Sequence, residues 1–163
     1  MNALTSQSFI MPSCRLLATL FFVASILTSC GDDAATAPLE LLEQRLKESK
    51  EKWERMNPHN YTYEFRWRCY CVHLSQRWAV VTVRNDTVTQ VMDVESEEFF
   101  GDEDVKEYMI IDRLFDYVEA NKNAQSITAI FSPNYGIPTD VYIDYRSGYG
   151  DERGFEAKKL MIN

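Results

Sequence analysis

The chain has 163 residues, of which 45% are hydrophobic and 13% aromatic, and carries a net charge of −8. That length suits one domain, and the acidic balance argues against nucleic acid and against direct adhesion to an anionic membrane surface.

Residues 1–29 read as a secretory signal. Arg15 precedes the apolar run Leu16–Leu27, and the small residues Thr28 and Ser29 follow. The run is well short of the ~20 residues that a spanning helix needs. The stretch before Arg15 is long and uncharged for a signal, which makes Met11 an alternative start. Cys30 comes directly after the small residues. Leu27-Thr28-Ser29-Cys30 resembles the lipobox of bacterial lipoproteins, in which the cysteine is acylated and becomes the new N-terminus. Two or more acyl chains hold a protein firmly on a bilayer, at ~0.8 kcal/mol per buried CH₂. By that resemblance Gly31 favours the outer membrane, where aspartate would retain the protein at the inner one. Asp32 and Asp33 match a pattern that marks export to the cell surface in some bacterial lipoproteins.

Loss of the signal removes Arg15 and no acid, so the mature charge falls from −8 to −9. Residues 30–37 form a polar tether. A single domain over 38–163 is expected to follow.

Pro38 suits a first helical turn, and Leu39, Leu42, Leu46, Trp53 and Met56 recur at helical spacing as far as Asn57-Pro58. Glu43–Lys47, Glu48–Lys52 and Glu51–Arg55 are spaced as i,i+4 ion pairs on the wet side. The next segment alternates. Tyr61, Tyr63, Phe65, Trp67, Cys69 and Cys71 share one face, while Thr62, Glu64, Arg66, Arg68 and Tyr70 share the other. A second strand runs from Trp78 to Arg84, Asn85-Asp86 makes a tight turn, and a third strand covers Thr87–Val94. Residues 93–107 hold eight acids against one lysine and read as a solvated loop pinned by Phe99 and Phe100. Ile111, Leu114, Phe115 and Val118 predict a helix over 108–121. Three more strands are expected at Ser126–Phe131, Thr139–Tyr145 and Phe155–Met161.

The expected fold class is therefore α+β, in the order helix, three strands, helix, three strands. Short links make each triplet an antiparallel meander, and two helices cover one face of the sheet.

Cys69 and Cys71 are the only thiols left once Cys14 departs and Cys30 becomes the anchor. An oxidising compartment favours pairing, although residues i and i+2 of a strand lie ~6.6–6.8 Å apart, at the limit for a disulfide. A structural disulfide leads the readings; unpaired thiols, redox work and metal binding stay open behind it. Cys69-x-Cys71-x-His73 offers three ligand types, but zinc spacings are C-x₂₋₄-C and a structural site wants a fourth ligand, which only a tertiary approach by His59 could supply. Nucleophilic catalysis has little support, with two histidines and no G-x-S-x-G. Asp140, Tyr142 and Asp144 share a strand face near Asp151 and Glu152. The spacing of a calcium loop is missing, so these read as solvated acids.

Residues 50–161 resemble a bacterial lipoprotein family known as domain-of-unknown-function family 6174. The resemblance rests on the order of Trp53, Asn60-Tyr61-x-Tyr63, Cys69-x-Cys71, Leu114-Phe115, Tyr135-Gly136-Ile137-Pro138 and Ile143-Asp144-Tyr145 with Asp151-Glu152. Members often carry two acids before the glutamate, where this chain has Gly150-Asp151-Glu152. The resemblance implies the fold and the compartment and no mechanism. The expected role is a lipid-anchored envelope protein that binds or assembles with a protein or small molecule, without catalysis, cofactor or metal. The alternative is a thiol-dependent or metal-dependent activity at Cys69 and Cys71.

Overall fold

The computed structural model describes residues 37–70, 76–146 and 150–163. Cys30, Cys71, His73, the whole signal and the tether up to residue 36 lie outside the described residues, and Ala37, expected in the tether, opens the first helix.

Helix α1 spans Ala37–Met56. Its buried stripe is Leu42, Leu46 and Trp53, whereas Leu41 and Met56 are exposed. Met56 was expected in the core. It falls on the last turn, where Asn57 enters the left-handed region at φ 43° and its N–H donates to the Trp53 carbonyl, so the chain leaves before Met56 can pack. The polar side of α1 makes tertiary contacts: Glu43 pairs with Lys122 at 2.9 Å, Lys50 pairs with Asp116 at 3.5 Å, and Lys52 donates to the Pro133 carbonyl.

Six strands follow: β1 (Asn60–Cys69), β2 (Ala79–Arg84), β3 (Thr87–Asp93), β4 (Ser126–Phe131), β5 (Pro138–Asp144) and β6 (Arg153–Ile162). They form one antiparallel sheet in the order β3-β2-β1-β6-β5-β4. Each triplet is a meander, and the two meanders join where β1 pairs with β6. Asn85 and Asp86 turn the β2–β3 hairpin at φ 47° and 59°, the left-handed pair that a tight two-residue turn demands.

Period-two alternation fills the core. Tyr61, Tyr63 and Phe65 of β1 are buried with Val81 and Val83 of β2, and with Val141, Ile143, Phe155 and Ala157 farther along the sheet. Consecutive aromatic rings touch down β1, from Trp53–Tyr61 at 5.3 Å to Phe65–Trp67 at 5.2 Å. Such edge-on pairs add about 0.5–1.5 kcal/mol each beyond burial.

Two expectations are corrected: among the described residues three helices are present rather than two, which changes the order, and the helices do not follow the expected pattern of two covering one face of the sheet. A short helix α2 (Asp102–Val105) precedes α3 (Ile111–Asn121), so the order is helix, three strands, two helices, three strands. The acidic stretch is thus not a featureless loop. Asp102, Glu103 and Asp104 occupy the first turn of α2, where the unpaired N–H groups of a helix favour negative charge. Phe99 bridges to Met92 through backbone yet leaves its ring exposed, so Phe100 alone of the two packs against the core. Helix α2 buries none of its residues and lies by β3. Helix α3 buries Ile111, Leu114, Phe115 and Val118 in the same core cluster as the stripe of α1. Its start is tied to β1: the Ile111 N–H donates to the Tyr61 hydroxyl at 2.9 Å, and the Tyr63 hydroxyl donates to the Met109 carbonyl. The strand therefore supplies polar partners that the helix terminus lacks. Burial pushes both phenols well above the ordinary tyrosine value, so they stay protonated.

Asp93 ends β3 and is buried. Its carboxylate accepts the N–H groups of Glu95 and Ser96 at 2.8 Å each, and Arg77 approaches it at 3.0 Å. Burial raises its pKa, but those two amides and the guanidinium pull harder, and the net shift is downward.

Candidate functional site

The side chains that alternate with the aromatic core belong to the other face of the sheet, and they are mostly charged. Register places Glu64 opposite Lys158, Arg66 opposite Glu156, and Glu156 opposite Asp140. Arg66 binds Glu156 through two nitrogens at 2.7 and 2.9 Å. Arg68 reaches Asp140 at 2.8 Å and Glu156 at 3.5 Å. Glu64 is largely buried, with Lys159 at 2.7 Å and Lys158 at 3.5 Å.

Two consecutive residues of one strand ordinarily point to opposite faces. Here the pairing slips between Thr62 and Glu64, and Lys159 takes a left-handed φ of 52°. That bulge turns both lysines toward one carboxylate. Trp78, just before β2, is flanked by cations: the Arg66 guanidinium carbon lies 4.7 Å from its ring centre and the Lys158 nitrogen 3.5 Å from it.

This charged ladder ends in a cleft of about 540 Å³ lined by Arg68, Cys69, Tyr70, Gln76, Tyr142 and Glu152, with Arg153 beside them. Two of these residues, Arg68 and Tyr142, stand in one row across three strands with Gly154 between them. A Cβ on Gly154 would sit 1.9 Å from the Val141 carbonyl oxygen, so only glycine lets β5 and β6 approach here. Gln76 donates to the Cys69 carbonyl at 2.7 Å, and Glu152 accepts the Gly150 N–H at 3.0 Å. Tyr70 is 85% exposed at the mouth. Partial desolvation and the carboxylates of Glu152 and Asp144 raise the Tyr142 pKa against the pull of Arg68, which keeps its hydroxyl protonated.

The predicted site residues divide accordingly. Cys69 is half-buried at the end of β1, lines the cleft and is engaged rather than a free thiol. Its expected partner Cys71 lies outside the described residues, as do His73 and the anchor Cys30. His59 cannot join Cys69, because it precedes the far end of β1, roughly 30 Å away along an extended strand. It instead pairs with Asp86 at 2.7 Å and contacts Asn57 at 3.2 Å. Asp140 is drawn into the ion-pair ladder, and Asp144 accepts the Arg146 N–H at 3.2 Å. The roles of Trp78, Gln76 and Gly154 escaped the sequence reading. One signal was present for Trp78: Glu64 and Arg66 match in charge the pair Lys158 and Glu156, a pattern that a cross-strand ladder explains.

No curated protein and no solved structure matches this chain. A family model described as a family of unknown function (DUF6174) matches residues 45–161, from within α1 to the penultimate residue of β6. With most of its length so matched, the chain belongs to the DUF6174 family.

Proposed function

We propose that this chain is a lipid-anchored protein of the bacterial cell envelope and that it works as a non-catalytic binding module. Cys30 carries the lipid, residues 31–36 are the tether, and the outer membrane is its location, with Gly31 supporting that choice. The observation that carries this reading is Leu27-Thr28-Ser29-Cys30, a cysteine placed where an apolar signal ends in small residues. The buried residues of α1 and α3 share the aromatic core, and the charged side chains with their cleft are what remains for a protein or small-molecule partner. Concave sites with a few convergent polar groups are the usual places for ligands. Cys30→Ala should abolish processing or release the protein from membranes; a variant that is processed and partitions into detergent like the parent overturns the anchor.

A second reading concerns Cys69, and it is supported by one observation: this residue is engaged rather than a free thiol. We assign it a disulfide with Cys71 that shapes the strand end, against a thiol-dependent or metal-dependent activity. Freshly isolated protein should yield no alkylatable thiol under non-reducing conditions. Two alkylatable thiols would remove the disulfide, and zinc or copper bound alongside them would favour the metal.

A further inference from the structure

The two edges of the sheet are finished differently. Along β3 the chain covers its own edge. Phe99 pairs with Met92, the Phe100 N–H donates to the Val91 carbonyl at 2.9 Å, and the Asp93 N–H donates to the Glu98 carbonyl at 2.9 Å. Strand β4 forms the opposite edge, and among the described residues only β5 pairs with it. In an antiparallel ladder every second residue turns its N–H and C=O away from the partner strand. Alternate residues of β4 therefore present backbone donors and acceptors outward. Sheets ordinarily blunt such an edge with charge, proline, a bulge or a covering segment. Here no charged residue falls between Lys122 and Asp140, the longest uncharged run of the domain. The strand itself, Ser126–Phe131, holds no proline, and its pairing with β5 is irregular only at the last step, between Ile130 and Phe131. Ser126, Thr128 and Ile130 are exposed, Ile130 to 60%, while Ile127, Ala129 and Phe131 pack partly buried against the core.

The charge pattern says what this edge fits. Copies of so acidic a chain repel one another, and the uncharged β4 edge is where that repulsion is weakest. A cationic partner would be drawn instead to residues 93–107, with their eight acids and one lysine. The strand also matches itself. Paired antiparallel with its own copy about Ala129, it sets Ile127 opposite Phe131 and Thr128 opposite Ile130. Opposed residues in this register share a face, so the core-facing row continues as a core-facing row and the exposed row as an exposed one. Aromatic–β-branched pairs of this kind favour the join.

We propose that β4 pairs with β4 of a second copy about a two-fold axis at Ala129, joining the two sheets into one. The inference goes beyond the envelope reading and holds with or without the lipid. A seam of one short strand falls below the ~1,200 Å² of the smallest standard interfaces, so the association should be weak, in the micromolar range. The test is sedimentation equilibrium of the full chain in density-matched detergent, from about 1 to about 200 μM. The parent should pass from monomer to dimer over that range. Thr128→Lys with Ile130→Lys sets like charges opposite each other across the seam and should weaken the dimer at least about fivefold. Thr128→Glu with Ile130→Lys sets opposite charges there and should restore it. Both side chains are exposed, so the thermal midpoint should stay within a few degrees. Restoration by a variant that shares Ile130→Lys separates a lost seam from a lost fold. A parent that stays monomeric throughout overturns the proposal, as does a dimer that the two lysines leave intact. A dimer lost in both variants overturns the register about Ala129 and keeps β4 as the seam.

Discussion

The two faces of β1 use the same backbone for opposite purposes. Tyr61, Tyr63 and Phe65 are all but inaccessible to water and touch ring to ring, whereas Arg66 and Arg68 reach across to β6 and β5 from partly exposed positions. Burying an aromatic side chain contributes some 1.5–3 kcal/mol, and removing one from a packed core costs more because a cavity remains. An exposed ion pair contributes ~0–1 kcal/mol. Stability therefore resides on the aromatic face, and the charged face contributes little to it.

The sharpest way to break this division is to hollow out the core. Phe155 touches Phe65, Trp67 and Tyr117, so Phe155→Ala should cost about 3–5 kcal/mol in chemical unfolding. A loss below ~1 kcal/mol would show that the aromatic column does not carry the fold. Gly154→Ala comes next, at about 1–3 kcal/mol or more, since the new methyl meets the Val141 backbone rather than a side chain that could move. Near-normal stability for that variant would mean that β5 and β6 can separate at no cost.

Asp93 is a buried charged group whose role lies with the fold rather than with the charged face. Asp93→Asn should cost about 1–3 kcal/mol near neutral pH, through weaker bonds to Glu95, Ser96 and Arg77. The sign of its pH dependence follows from the downward shift. The stabilisation is complete above the unfolded carboxylate value of 3.8 and disappears as pH falls through the lower folded value. The gap between variant and parent should therefore close in acid below that value. A gap that persists or widens there would assign the effect to shape and not to charge.

The smallest effect is expected on the acidic stretch. Neutralising Glu97, Glu98, Asp102 and Glu103 together should move the thermal midpoint by less than ~4 °C, because all four side chains are exposed. A larger drop would make that segment part of the fold or the seat of a bound ion.

The strands and the two long helices were legible because their apolar residues recur at periods of two and 3.6, and Asn85-Asp86 announced its turn. The acidic stretch misled because charge density says nothing of backbone partners. Asp93 is indistinguishable in sequence from its exposed neighbours, yet its Oδ1 accepts two amides of the following turn. The cleft was hidden for a related reason. Its parts come from β1, β5, β6 and Gln76, and only sheet order puts Arg68, Gly154 and Tyr142 in one row. The bulge at Lys159 could not be anticipated from a Lys-Lys pair that looks like any solvated doublet.

Phe65 and Arg66 are adjacent in the chain and belong to the two different faces, so one paired experiment tests the division most directly. Urea unfolding of the parent, Phe65→Ala and Arg66→Ala should give losses of about 3–5 kcal/mol for the first variant and about 1 kcal/mol or less for the second. Equal losses, or a larger one for Arg66→Ala, would contradict the assignment of stability to the aromatic face.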